Sequence, residues 1–159
     1  MRIRLAEPGD LAAVGEVTVA AFAPHTRGPG DPYVERLRDA ATRAAEAELW
    51  LAEDAGEALG TVTTCPPGSP WRELAEDGEG EFRMLAVSPA AQGRGVGDAL
   101  VRHVLEHYRA DGAHAVVLST LASQTAAHRL YARHGFTRLP HRDWDPLPDV
   151  HLLALGATL

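Results

Sequence analysis

Residues 81–100, EFRMLAVSPAAQGRGVGDAL, decide how this chain is read. The apolar run to Val87 reads as a buried strand, Ser88-Pro89 as a turn, and Val96 onward as the first turn of a helix, with Gly93, Gly95 and Gly97 between. A junction of this kind points several backbone N–H groups at one spot and adds the positive end of a helix dipole, roughly half a charge. It is a site for a phosphate-bearing ligand. The spacing excludes the two commonest versions. GxxxxGK[ST] needs a Lys, and every basic residue here is Arg; GxGxxG counted from Gly93 puts Asp98 where the third glycine belongs.

Working outward, residues 2–6 alternate as a short strand, and Asp10 caps a helix with Leu11, Val14, Val17 and Ala21 on one face. After a Pro/Gly-rich loop, Asp31-Pro32 starts a second helix carrying Tyr33, Leu37, Ala40, Ala41 and Ala44. Residues 48–53 and 59–65 alternate around Asp54-Ala55-Gly56-Glu57 as a hairpin, and a connection rich in Pro, Gly and acid leads to the strand at Glu81. Downstream, a helix over about 96–109 is followed by a β-branched strand at 113–120. Then comes a helix capped by Ser123 or Thr125 and stopped at Gly135, and last strands at 136–139 and 150–155. This order is not a clean βαβ alternation. It predicts one domain over 1–159, built on a mixed sheet with helices on both faces.

The balance of charge narrows the function. A chain of 159 residues supports one real core, and a net charge of −7 offers no basic stripe for nucleic acid. The acidity reads first as plain solubility and is compatible with cationic substrates. One cysteine, Cys65, excludes an internal disulfide or a cysteine metal cluster. No apolar run approaches the ~20 residues that span a bilayer. The N-terminus lacks a signal peptide's apolar core, so the expected location is cytoplasmic, without membrane or nucleic-acid partners.

The run Gln92-Gly93-Arg94-Gly95-Val96-Gly97 matches [Q/R]-x-x-G-x-[G/A], and Gln124 to Phe136, QTAAHRLYARHGF, resembles N-x-x-A-x-x-L-Y-x-x-x-G-F. In this order, with room for one helix and one strand between them, the two blocks resemble the GCN5-related N-acetyltransferase superfamily. The resemblance runs in outline over most of the chain and is weak in the first third. It implies a mostly antiparallel mixed sheet of about seven strands flanked by about four helices. A splayed pair of parallel strands opens the acetyl-CoA cleft in that fold. The implied activity is transfer of the acetyl group of acetyl-CoA to a primary amine, a small molecule or a peptide N-terminus, without a metal. The family habit of pairing makes a homodimer the expected assembly.

The resemblance assigns the coenzyme's pyrophosphate to the backbone of Gln92, Gly93, Arg94, Gly95, Val96, Gly97 and Asp98. Leu85, Ala86 and Val87 would pair with its pantetheine arm and donate to the thioester carbonyl, where negative charge develops. Gln124 stands where the family has a coenzyme-contacting Asn. Arg94 serves a phosphate or simply solvent. Tyr131 matches a Tyr that protonates the leaving thiolate, the alternative being an aromatic packing anchor. Glu81 is the candidate base, because an alkylamine is mostly ammonium at neutral pH and must shed a proton before attacking. It lies four residues before Leu85, at the offset of the family's catalytic Glu, and strand alternation would put Glu81, Arg83 and Leu85 on one face. The alternatives are a strand-edge carboxylate, or a water chain with no dedicated base.

His103 to His107 spells HxxEH, a zinc-peptidase pattern, but the apolar stripe Leu100, Val101, Val104, Leu105 and Tyr108 would turn both histidines toward solvent. Cys65 reads as a small buried hydrophobe rather than an acyl carrier. With no convincing nucleophile, direct attack is expected. A non-catalytic acyl-CoA-binding or sensing module is the reading from another class. The resemblance implies that the walls of the acceptor site come from residues 22–34, 65–80 and 140–150.

Overall fold

Ala55 and Gly56, with φ of 49° and 81°, form the two-residue turn that matches the right-handed twist of a hairpin, and it joins β2 (Glu48–Asp54) to β3 (Glu57–Thr64). This hairpin begins the sheet of a computed structural model that describes all of residues 1–159. The remaining strands are β1 (Arg2–Leu5), β4 (Glu79–Val87), β5 (Ala115–Leu121), β6 (Thr137–Arg138), β7 (Trp144–Leu147) and β8 (Val150–Thr158). They run in the order β1-β2-β3-β4-β5-β8-β6, with β7 also on β8. Only β4 and β5 are parallel. The eighth strand, β7, lies inside the expected 140–150 loop. Its pairing with β8 shifts register between Trp144 and Leu147, which accommodates Pro146.

Five helices cover the sheet: α1 (Leu11–Phe22), α2 (Pro32–Arg38), α3 (Ala40–Glu46), α4 (Val96–Ala110) and α5 (Thr125–Arg133). On one face, Leu49 and Leu51 of the sheet meet Val14 of α1 and Ala40 of α3. On the other, Val62, Phe82 and Val116 meet the α4 stripe Leu100, Val101, Val104, Leu105 and Tyr108, joined by Leu130 and Tyr131 of α5. Each buried Val or Leu of that stripe contributes about 1.5–3 kcal/mol. The N-cap of α5 is Gln124, between the two expected cap residues.

Three expectations change on this scaffold. The inward residues of α1 are Val14, Gly15 and Thr18, so the stripe is rotated from the one read in the sequence. Gly15 permits the turn, because a Cβ there would lie 2.4 Å from the Arg38 carbonyl oxygen. The second helix is also broken. Asp39 leaves helical geometry (φ −76°, ψ 71°) and its carboxylate caps Thr42 N, starting α3. Arg43, on the helix that follows the break, is completely buried and forms no ion pair. Its Nη1 donates to the carbonyls of Arg36 (2.9 Å), Leu37 (3.0 Å) and Asp39 (3.5 Å), the negative end of α2. Burial lowers its pKa below the ordinary arginine value while leaving it charged at neutral pH. Arg43→Ala is therefore expected to cost roughly 3 kcal/mol or more in urea unfolding, since it strands buried carbonyls and opens a cavity.

The third change concerns His103 and His107. They do not face solvent but pack on Trp50 of β2, with ring centroids 4.3 and 5.4 Å away, and His107 Nε2 lies 2.9 Å from Glu48 Oε2. A wide indole at this end of the sheet extends the buried face of α4 beyond its apolar stripe. No group of three or more His, Cys, Asp or Glu is placed to hold a metal. No helix is long and apolar enough to cross a membrane.

Candidate active site

The parallel pairing of β4 with β5 is confined to Glu79–Ala115, Gly80–Val116 and Glu81–Val117. Beyond that point β5 stays paired with β8 as far as Leu121, while β4 continues against β3. The strands separate, and a cleft of about 790 Å³ opens between them. A β-bulge shapes its wall. Met84 takes φ 51°, and the β3–β4 register slips by one between Thr61–Ala86 and Thr63–Arg83. Directly opposed residues share a face, so Arg83 and Ala86 lie together and Leu85 lies on the other side. The shared face expected for Glu81, Arg83 and Leu85 is thus corrected. The bulge breaks the alternation, and Met at a left-handed position leaves no trace in sequence.

Of the residues expected at the site, Glu81, Leu85, Gln124 and Tyr131 line the cleft. Ala86 and Val87 lie outside its lining, and so does the loop of residues 92–98 at the end of β4. That loop has its own character. Gly93 and Gly95 both take φ 78°, and a Cβ at either would meet nothing within 4 Å. The backbone N–H groups from Gly93 to Asp98 find no acceptor in the protein, and no side chain caps α4. A row of unpartnered donors on a helix start is what a pyrophosphate needs, so the chain fits this part of the coenzyme. Asp98, whose charge would oppose a phosphate, is ion-paired with Arg133 (3.1 Å) and lies within hydrogen-bond distance of His134 Nε2 (2.9 Å). Arg94 is half exposed, 3.9 Å from Asp54.

Glu81 is 1% exposed, and its carboxylate is already engaged. Oε1 accepts from the N–H groups of Glu73, Leu74 and Ala75 at 3.0, 2.8 and 2.9 Å, while Oε2 takes only a longer bond (3.2 Å) from Glu73. Burial raises its pKa and those donors partly offset the rise. The Tyr108 hydroxyl donates to the Glu81 carbonyl (2.7 Å), tying α4 to β4 at the point where the strands part. Glu81 therefore lines the cleft and anchors the loop at 73–75, with Oε2 the less heavily used of its two oxygens.

Tyr131 is 6% exposed and packs edge-on against Phe82 (5.8 Å) and obliquely against Phe136 (5.8 Å), and its hydroxyl makes no hydrogen bond within the protein. Burial raises its pKa, so the phenol keeps its proton throughout the neutral range. Gln124 Oε1 accepts from Leu121 N (2.9 Å) and Thr120 Oγ1 (3.0 Å), closing the end of β5 and leaving its amide N–H groups free. Cys65 is buried, and burial followed by the nearby Glu81 charge pushes its thiol up to about 12, which disfavours the thiolate an acyl carrier needs.

Sequence reading missed Arg36, which lines the cleft with its guanidinium 4.4 Å from the Trp71 ring centroid. An Arg on a helix carries no signal until tertiary packing shows what it faces. The three segments expected to form the acceptor walls do contribute, through Phe22, Tyr33, Glu73, Trp144 and Leu147 among others.

Comparison with known proteins adds three findings. A model of the acetyltransferase (GNAT) family matches residues 16–136. Relatives include mycothiol acetyltransferases from Cellulomonas flavigena (37% identical over 151 residues, 86% of this chain and 40% of that protein) and Nocardia farcinica (37% over 137 residues, 82% and 43%). The chain spans about two fifths of the length of those relatives. Among solved structures, a GNAT-family acetyltransferase from Staphylococcus aureus Mu50 superposes with a TM-score of 0.76 at 15% identity, covering 99% of this chain and 98% of that one. A GNAT-family acetyltransferase from Brucella melitensis in complex with acetyl-CoA gives a TM-score of 0.62 at 33% identity, covering 86% and 82%.

Proposed function

The chain belongs to the acetyltransferase (GNAT) family, and from that premise we propose that it transfers the acetyl group of acetyl-CoA to a primary amine by direct attack, both substrates being bound together. The observation that carries this reading is the parting of β4 from β5 after Glu81 and Val117, next to a loop of unpartnered N–H groups. Acetyl-CoA supplies an activated acetyl group as its thioester. The loop at 92–98 holds the pyrophosphate, and Gln124 offers amide donors to the coenzyme. Leu85, which lines the cleft, offers its backbone where oxyanion charge develops, and Ala86 and Val87 carry the strand on toward the loop at 92–98. Glu81 takes the ammonium proton through its Oε2, directly or by way of water. Its burial makes it a stronger base than an ordinary carboxylate. Tyr131 gives a proton to the departing sulfur.

Thiol release from acetyl-CoA against an amine panel tests the activity, and intact mass after incubation without an amine tests the route. Turnover with no acetylated protein is the expected result. Tight acetyl-CoA binding with no turnover on any amine would instead identify a binding or sensing module. Glu81→Gln is expected to cut turnover roughly a hundredfold at neutral pH. The deficit should shrink as pH rises and free amine becomes abundant, which a pH–rate profile would show. A loss that is flat with pH and accompanied by a lower melting temperature would leave Glu81 as the anchor of the loop at 73–75.

A further inference from the structure

The charged side chains and histidines that line the cleft are, with one exception, engaged within the protein. Asp149 pairs with Arg27, Glu73 pairs with Arg83, and His151 pairs with Asp145. Asp31 accepts the N–H groups of Arg27 and Tyr33 as the cap of α2, and Glu81 holds the loop at 73–75. His25 Nδ1 is bonded to Ser123 Oγ (2.9 Å). Arg36 alone among the lining charges has neither an ion pair nor a side-chain hydrogen bond. Its guanidinium is not loose, because it rests on Trp71, a ring that is itself buried. The lining carboxylates are held in ion pairs or by backbone N–H groups. One pre-positioned cation is free to receive an anion.

We infer that the acceptor amine carries a carboxylate, which Arg36 receives. Phe22, Trp144, Leu147 and Leu152 supply apolar wall, so the acceptor class is a small apolar amino acid. This rests on the acetyltransferase reading and adds the substrate class to it. In the reaction the amine nitrogen forms the amide bond to the acetyl carbon and the carbon–sulfur bond breaks. The ammonium sheds two protons on the way to the amide: one leaves through Glu81 to solvent, and the other replaces the proton that Tyr131 delivers to sulfur, while the carboxylate stays unchanged as a handle.

Matched probes test this directly: L-methionine against 3-(methylthio)propylamine, the same molecule without its carboxylate. The expected kcat/KM favours methionine by roughly tenfold or more, the yield of a charge-assisted bidentate contact. Arg36→Gln should narrow that preference to within about twofold, chiefly through KM, and Arg36→Lys should keep part of it. Equal or better turnover of the amine by the natural protein would overturn the inference, as would an Arg36→Gln variant that slows both probes alike. A second readout does not need turnover. Titration with N-acetyl-L-methionine should move the Trp71 indole N–H signal, assigned by its loss in Trp71→Phe, in the natural protein and not in Arg36→Gln. If no amine is turned over, acetyl transfer fails as the reading, and a shifted indole would still sustain the carboxylate site. A silent indole would overturn it.

Discussion

Tyr131→Phe is expected to lower kcat roughly a hundredfold with little change in the KM for the amine. The substitution removes one oxygen and keeps the ring that packs on Phe82 and Phe136, both 5.8 Å away, so the core around it should survive. The hydroxyl has no hydrogen-bond partner in the protein to lose, and a purely structural Tyr would therefore tolerate the change. Burial raises its pKa, so the proton is present at every pH at which the enzyme would work. A proton delivered to sulfur matters only as the carbon–sulfur bond breaks, which places the loss in kcat. Raising pH should not rescue it, in contrast to Glu81→Gln, because a donor is missing rather than a base. Steady-state kinetics across about two pH units would decide. A variant that loses only acetyl-CoA affinity would make Tyr131 a packing residue.

Gly95→Asp is expected to weaken acetyl-CoA binding by roughly a hundredfold or more while the protein stays folded. Gly95 sits at φ 78° as the N-cap of α4, with open space where a Cβ would go. Asp is among the few residues that tolerate this conformation, and it is a good cap, so the melting temperature should fall by only a few degrees. Its carboxylate would stand among the N–H groups of residues 93–98, where the pyrophosphate belongs. Two like charges about 4 Å apart repel by about 4 kcal/mol near a protein surface. Calorimetry of acetyl-CoA binding measures the effect. Gly95→Asn, equal in shape and uncharged, should lose far less, which separates charge from backbone strain. Unchanged affinity in Gly95→Asp would overturn the assignment of this loop.

The parts of this protein legible in sequence were those set by local chemistry. Alternating residues and the Ala55-Gly56 turn announced the β2–β3 hairpin, and the stripe from Leu100 to Tyr108 announced the buried face of α4. Gln92 to Gly97 announced a loop whose backbone donors stay free, because glycine spacing acts within a few residues and needs no distant partner. What tertiary structure decided were the features that depend on neighbours far along the chain. Met84 adopts φ 51° where β4, having parted from β5, slips by one residue against β3, and nothing in Arg-Met-Leu asks for a bulge. Arg43 is buried because the carbonyls at the end of α2 receive it, against every propensity of a guanidinium. Glu81 read as a strand-edge charge or a base, and only the fold brought the N–H groups of Glu73, Leu74 and Ala75 onto it. Arg36 became a free cation in the cleft only after Arg27 and Arg83 had been paired elsewhere, since whether a charge is spent depends on the whole set around it.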